Sequence, residues 1–138
     1  MPTIKLLTDE EAAANPRVQA VFDDIRATRK SDFLNNFWRA LANQPDQLER
    51  TWGNIKQVML APGAPGGLDP LTRELIYIAV STANNCGYCI HSHTASARAK
   101  GMTPEQYTEL TAIIALASQT NAIAMALQIP IDPEFQIQ

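Results

Sequence analysis

Apolar residues recur every three or four positions through most of this chain, which is the spacing of one face of an α-helix. Asn15-Pro16 supplies a helix cap followed by a proline at the first helical position, so a helix is predicted from there. A second helix is predicted over Phe33–Asn43 and a third from Pro45. The positions that these three segments should bury are Val18, Val21, Phe22, Ile25, Phe33, Leu34, Phe37, Trp38, Leu41, Leu48, Trp52, Ile55, Val58 and Met59.

A loop rich in proline and glycine interrupts this pattern at Ala61–Pro70, with the sequence APGAPGGLDP. Asp69-Pro70 repeats the cap-and-proline signal, so a new helix should begin there. The following segment, Leu75–Val80, is apolar throughout and rich in β-branched residues, which leaves a buried strand as the alternative. The cap and the lack of a partner strand favour a buried helix. A polar turn is expected at Ser81–Asn85.

Two more helices are predicted after that turn. One runs from about Cys86 to Lys100 and ends before Gly101, because glycine is common just past helix ends. The other begins at a capping box, TPEQ from Thr103, and extends to about Gln128. The sequence therefore predicts an all-α fold of about six helices in a single domain, residues 1–138.

Composition narrows the class of protein. Apolar residues make up 46% of the 138 and charged residues 18%, with a formal net charge of −3. No cluster of Lys and Arg resembles a nucleic-acid footprint. The start of the chain turns acidic too soon for a signal peptide, and no segment approaches the run of about 18 apolar residues that a membrane span needs. We expect a cytoplasmic protein that binds neither nucleic acid nor membrane.

The low charge also predicts a homo-oligomer, because few charges protect the surface of a single chain. The last predicted helix is apolar on most of its faces, more than one small core can bury. The residues that make it so are Ile113, Ile114, Leu116, Ile123, Met125 and Leu127.

Both cysteines lie in one Cys-x-x-Cys motif, and a histidine follows one turn later. Cys86, Cys89 and His93 fall within about a 60° sector of a helix, so two sulfurs and an imidazole share one stripe. At a helix N-terminus, backbone N–H groups stabilise a thiolate, the nucleophile of peroxide reduction and disulfide exchange. Two alternatives stay open, namely inert buried thiols and a three-ligand zinc site completed by Glu74 or water. His91 points away from this stripe and is a poor zinc ligand.

Glu74 is the remaining candidate for chemistry, because it opens the apolar segment that should be buried. Burial is expected to raise the pKa of this carboxyl and suit it for proton transfer. An antiparallel helix pair about the turn at Ser81–Asn85 would place Glu74 level with His93. The alternative is a carboxylate that only complements the dipole of the first helical turn.

Taken together, these residues form a recognisable pattern: Glu74, eleven residues, Cys86-Gly87-Tyr88-Cys89, three residues and His93. This pattern resembles the AhpD-like alkylhydroperoxidase family within the carboxymuconolactone decarboxylase superfamily. Tyr88 stands where the best-characterised hydroperoxidases of that family have a second histidine. The resemblance implies an all-α fold and a trimer or hexamer.

The resemblance also implies roles for the four residues. Cys89 would attack the peroxide and Cys86 would resolve the product, while Glu74 and His93 would form a water-linked proton relay that activates Cys89. The implied partners are a small-molecule peroxide and a dithiol reductant, such as a lipoylated or thioredoxin-like protein. We expect no cofactor and no metal. The other functions left open are a dithiol–disulfide oxidoreductase without peroxidase activity, a redox sensor, and a decarboxylase-like enzyme with another small-molecule substrate.

Overall fold

Seven α-helices and no strand occur within residues 1–136, which are the residues described by the structure, a computed structural model. The chain divides into two compact units, Met1–Pro62 and the part from Gly63 onwards. The division falls inside the loop rich in proline and glycine. The all-α prediction is confirmed, and the strand alternative for Leu75–Val80 is wrong because those residues are helical.

The first unit contains four helices: α1 (Asp9–Ala13), α2 (Pro16–Arg29), α3 (Asn36–Leu41) and α4 (Pro45–Ile55). Asn15 caps α2 as predicted, because its side-chain oxygen accepts the Arg17 N–H at 3.0 Å. The apolar periodicity does not predict α1. The sequence signal for this short helix is a capping box between Thr8 and Glu11.

Three predictions in the first unit are wrong in detail, and one of them concerns Phe37, which lies on α3 but is exposed. Asn35 has an extended backbone, so α3 begins after it, and Phe33 lies outside the helix with 72% of its surface exposed. After α4 the chain continues as a π-helical turn, Lys56–Leu60. This wider turn rotates the side chains relative to an α-helix, so that Val58 faces solvent while Met59 stays buried.

The core of the first unit is built from α2, α3 and α4. Phe22, Ile25 and Leu48 are fully buried, and each such side chain contributes about 1.5–3 kcal/mol by leaving water. Trp38 and Trp52 complete the core and meet edge to face, with ring centroids 5.5 Å apart.

The second unit contains three helices, α5 (Pro70–Ala83), α6 (Gly87–Ala99) and α7 (Pro104–Ala126), and a short 3₁₀ turn at Pro133–Phe135. The predicted caps are confirmed: Asp69 accepts the Thr72 N–H, and Thr103 forms a capping box with Gln106. The helices enclose a second core, formed by Ile78, Ala97, Met102 and Leu110.

The turn between α5 and α6 is tighter than predicted, because α5 continues through Ala83. The Asn85 N–H donates to the Thr82 carbonyl, and the Cys86 N–H donates to the Ser81 carbonyl at 2.9 Å. These two bonds form a Schellman motif, in which Asn85 takes the left-handed conformation with φ of 55°. The motif reverses the chain, so α5 and α6 run antiparallel and Cys86 is fixed at the start of α6.

α7 packs against its own unit only through its first half. Leu110 is buried and Ile114 is half-buried, whereas all residues from 115 to 136 are exposed. Apolar residues occur throughout this exposed part, including Leu116, Ile123 and Met125. Within residues 1–136, no helix is both long enough and apolar enough to cross a membrane.

Candidate functional site

The two thiols lie at the N-terminus of α6, as the sequence predicts. Cys86 is the N-cap residue, and its Sγ accepts the backbone N–H of Cys89 at 3.4 Å. Both cysteines are free thiols and both are half-buried. The first turn of a helix therefore presents one backbone donor directly to the sulfur of Cys86.

The two thiols differ in acidity. Hydrogen bonds from the side chain and the backbone N–H of Cys89 lower the pKa of Cys86. Burial, together with the hydrogen bond and the charge of Cys86, raises the pKa of Cys89 to about 11. Within this pair, the first proton to leave is therefore that of Cys86. Which thiol attacks a substrate stays a prediction.

Glu74 and His93 are in direct contact, as the antiparallel arrangement predicts. The Oε2 atom of Glu74 lies 2.7 Å from Nδ1 of His93, and the carboxylate is only 3% exposed. An ionised carboxylate can only accept hydrogen bonds, so Nδ1 of His93 carries the proton of this bond. Nε2 is then the nitrogen that can act as a base.

The other carboxylate oxygen of Glu74 is held by two more donors on α6. Ser96 Oγ donates to Oε1 at 2.8 Å, and Lys100 Nζ donates to the same oxygen at 2.8 Å. Lys100 also donates to Ser96 Oγ at 2.7 Å. The carboxylate thus has hydrogen-bond partners on both of its oxygens.

This network corrects the predicted acidity of Glu74. Burial alone raises the pKa of the carboxyl, but the donors from His93, Lys100 and Ser96 outweigh burial and lower the pKa to about 2. Glu74 is therefore an ionised acceptor at neutral pH and does not take up a proton there. Its chemical capacity is to orient His93.

Tyr77 holds the same imidazole from one side. Its ring stacks on that of His93, with centroids 3.6 Å apart and planes inclined by 18°. Burial and the nearby charges of Cys89, Cys86 and Glu74 raise the pKa of the Tyr77 hydroxyl. The acidity of the Tyr77 hydroxyl therefore depends on the charges of both the thiol pair and the carboxylate.

The structure thus joins the predicted residues into two pairs, Cys86 with Cys89 and Glu74 with His93. Within residues 1–136, no direct hydrogen bond links His93 to either sulfur. His91 is exposed. In the same described part of the chain, no group of three or more His, Cys, Asp or Glu side chains is placed to hold a metal ion.

Tyr77, Ser96 and Lys100 are not among the residues predicted from the sequence, although their spacing along the chain places them on the same helix faces as the predicted residues. Tyr77 follows Glu74 by three residues, which places both on one face of α5. Ser96 and Lys100 follow His93 by three and seven residues. With the cysteines, they fall within about an 80° sector of α6.

Comparison with known proteins places the chain among proteins with related sequence and fold. The model of the carboxymuconolactone decarboxylase family matches residues 46–132. An alkyl hydroperoxide reductase AhpD of Solibacter usitatus is 39% identical over 125 residues, which are 89% of this chain and 67% of that protein. Another AhpD, of Maricaulis maris, is 43% identical over 61 residues, 44% of this chain and 34% of that protein. The chain thus spans about two thirds of the first relative and about a third of the second.

A solved structure resembles the whole chain. The crystal structure of an alkylhydroperoxidase AhpD core from Rhodospirillum rubrum is 62% identical, with a TM-score of 0.95 over 100% of this chain and 99% of that one. Sequence identity, family model and fold agree with one another. The chain belongs to the carboxymuconolactone decarboxylase family, as an AhpD-like member.

Proposed function

We propose that this protein is a peroxidase that reduces alkyl hydroperoxides to alcohols at the Cys86–Cys89 pair, with a dithiol as the electron donor. One observation carries the proposal: two thiols and an imidazole share one face of α6, and a buried carboxylate fixes the imidazole at 2.7 Å. The names of the AhpD relatives support a hydroperoxide as the substrate class.

In the first step, Cys89 attacks the peroxide. Its sulfur bonds to the terminal oxygen of ROOH, the O–O bond breaks, and Cys89 becomes a sulfenic acid. The thiol proton passes to Nε2 of His93, directly or through water, and from there to the departing alkoxide, which leaves as ROH. A base is needed because the raised pKa of Cys89 keeps that thiol protonated at neutral pH.

In the second step, Cys86 resolves the sulfenic acid. Its thiolate attacks the sulfur of Cys89, a disulfide forms, and hydroxide leaves and is protonated to water. The lowered pKa of Cys86 suits this role, because the thiolate is the attacking species. An external dithiol then reduces the disulfide to two thiols and is itself oxidised to a disulfide.

The acidity of Cys86 also favours a second candidate function. In a dithiol–disulfide oxidoreductase without peroxidase activity, Cys86, the more acidic thiol, would attack a disulfide in a partner, and Cys89 would resolve the mixed disulfide. The two functions differ in which cysteine attacks the substrate first. Cys89 attacks a peroxide, whereas Cys86 attacks a disulfide.

Steady-state assays separate these functions. Purified protein is mixed with cumene hydroperoxide and dihydrolipoamide, and loss of peroxide is followed. We expect turnover of peroxide, and we expect Cys89→Ser to abolish it. When peroxide is added without the reductant, the number of titratable thiols per chain should fall from two to none. In Cys86→Ser, a sulfenic acid trapped with dimedone should appear at Cys89.

The control is a disulfide substrate offered without peroxide. Disulfide reduction that depends on Cys86, without peroxide turnover, would favour the second candidate. Two thiols that both remain titratable after peroxide treatment would contradict the proposed peroxidase.

A further inference from the structure

We propose that Lys100 and Ser96 are positioning residues that hold Glu74 in place and supply its counter-charge, so that His93 can act as a neutral base. The inference rests on the proposed function, because it concerns how the base of that reaction is prepared. Neither residue belongs to the motif of Glu74, Cys86, Cys89 and His93.

Lys100, Ser96 and Glu74 are joined by three short hydrogen bonds. Lys100 Nζ, Ser96 Oγ and Glu74 Oε1 form a closed triangle with sides of 2.7, 2.8 and 2.8 Å. Ser96 donates to the carboxylate and accepts from Lys100, so its hydroxyl is used both as a donor and as an acceptor. Two donors hold Oε1 while Nδ1 of His93 holds Oε2, so rotation of the carboxylate is restricted and Oε2 stays directed at Nδ1.

Lys100 also compensates the negative charge of Glu74. Glu74 is almost completely buried, and a buried carboxylate needs a compensating positive charge. If His93 were the sole partner, that charge would have to come from a protonated imidazole, which has no lone pair to accept a thiol proton. Lys100 supplies the charge at the opposite oxygen, so the imidazole can stay neutral with its proton on Nδ1.

Lys100 lies at the C-terminus of α6. It is the C-cap residue, where the carbonyl end of the helix dipole favours a cation. Gly101 follows with φ of 92°, and the Met102 N–H bonds the Ala97 carbonyl at 3.0 Å. Because Met102 and Ala97 are core residues, this helix end is anchored, and Lys100 is held with it.

The test follows the tautomer of His93 by ¹⁵N NMR of histidine-labelled full-length protein. The chain has two histidines, so the His93→Gln variant assigns the signals. In the wild type at pH 7 we expect one neutral tautomer, with the proton on Nδ1. In Lys100→Met, the signals should move to those of a protonated ring or a mixture of tautomers, whereas Lys100→Arg should restore the wild-type pattern.

Thiol reactivity provides the second readout. The pH profile of Cys89 alkylation, measured in the Cys86→Ser background, should shift to lower pH in Lys100→Met and less in Ser96→Ala, which changes little volume, because an imidazolium lowers the pKa of a nearby thiol. When Glu74→Gln is already present, Lys100→Met should have no further effect, since it acts through that carboxylate.

Arg98→Met is the matched control. It removes a positive charge from the same helix, on the opposite side from Lys100, where Arg98 lies over the ring of Tyr107. We expect wild-type histidine signals and alkylation rates from this variant.

Unchanged His93 signals in both Lys100→Met and Ser96→Ala would overturn the inference, as would an equal response in Arg98→Met. Failure of the proposed function is a different result: the wild type would show no peroxide turnover, while the His93 tautomer would still respond to Lys100.

Discussion

At the scale of single residues, Glu74 shows that neighbours can decide the ionisation of a buried group. Removal from water disfavours a carboxylate, and by itself burial would raise the pKa of Glu74. Three donors from α6 reverse that effect and lower the pKa to about 2. The carboxylate therefore resembles the acid of an acid–histidine–nucleophile triad, because it orients the imidazole and stays ionised.

The proposed relay predicts how the reactivity of the Cys89 thiol changes when His93 or Glu74 is substituted. In the Cys86→Ser background, Glu74→Gln and His93→Gln should each slow alkylation of Cys89 at pH 7 by a factor on the order of 100, and shift its pH profile upward. The double variant should be little slower than either single variant, because the two residues act in series. Iodoacetamide labelling across pH 6–10 measures this.

His91→Gln is the control for the relay, since His91 lies on the same helix and is exposed. It should leave the alkylation profile of Cys89 unchanged. A Glu74→Gln profile that superimposes on its parent would contradict the relay and leave the helix N-terminus as the sole activator.

The lowered pKa of Glu74 also predicts a pH dependence of stability. In the unfolded chain the carboxyl titrates near 4.5, and in the folded protein near 2. Between these values the unfolded state binds the extra proton, so the contribution to stability is fully present above pH 4.5 and is lost as the pH falls toward 2. The difference in unfolding free energy between wild type and Glu74→Gln should therefore shrink below pH 4.5.

Urea unfolding of both proteins at pH 7, 5 and 3 checks this expectation. The difference in unfolding free energy between the two proteins should be the same at pH 7 and pH 5, and it should be smaller at pH 3. A difference that stays constant down to pH 3 would show that Glu74 titrates at the same pH in both states.

At the scale of elements, the Schellman turn between α5 and α6 determines which residues meet. It reverses the chain at Asn85 and brings residue 74 beside residues 93 to 100. The left-handed conformation of Asn85 is tolerated by asparagine and by glycine, whereas a β-carbon without a polar group makes it costly. The geometry of the site therefore depends on a residue that takes no part in its chemistry.

Substitutions in this turn should follow from that conformation. Asn85→Ala is expected to destabilise the protein by about 1–2 kcal/mol, while Asn85→Gly should cost much less. Asn84→Ala serves as the neighbouring control, because Asn84 has an ordinary φ of −87°. The measurement is urea unfolding at pH 7. Equal losses in the alanine variants of Asn84 and Asn85 would contradict this role of the turn.

At the scale of the whole molecule, the exposed half of α7 is the clearest feature that one chain leaves uncovered. Its apolar residues recur after Ile114 and are exposed to solvent. Contiguous apolar surface of this kind usually marks an interface. A second copy of the chain is the occupant that the low charge of the sequence favours.

We therefore predict a homo-oligomer that α7 holds together. Light scattering at micromolar concentration should give a mass several times the 15.2 kDa of one chain. Leu116→Arg with Ile123→Arg should lower that mass, because a buried, unpaired charge is costly. Ser118→Arg, on the opposite side of α7, is the control. A wild-type mass of 15.2 kDa would contradict the prediction.

The sequence by itself determined most of the local structure and which residues are the candidates for chemistry. Caps at Asn15, Asp69 and Thr103 mark helix starts, and these signals are local because each involves a side chain and a backbone group a few residues away. The motif spacing likewise places Cys86, Cys89 and His93 on one helix face, since residues three or four apart share a face, and the turn at Ser81–Asn85 predicts that Glu74 lies level with His93. The wider π turn at Val58 was not predicted, because the apolar periodicity assumes the pitch of an α-helix throughout.

What the tertiary structure alone decided is the electrostatic state of the site. The sequence predicts that Glu74 is buried but not that Ser96 and Lys100 reach its far oxygen, because those contacts depend on how α5 and α6 are aligned after the turn. The same alignment stacks Tyr77 on His93. A pKa responds to every charge and donor within a few ångströms, and that neighbourhood is set by packing between elements rather than by spacing along the chain.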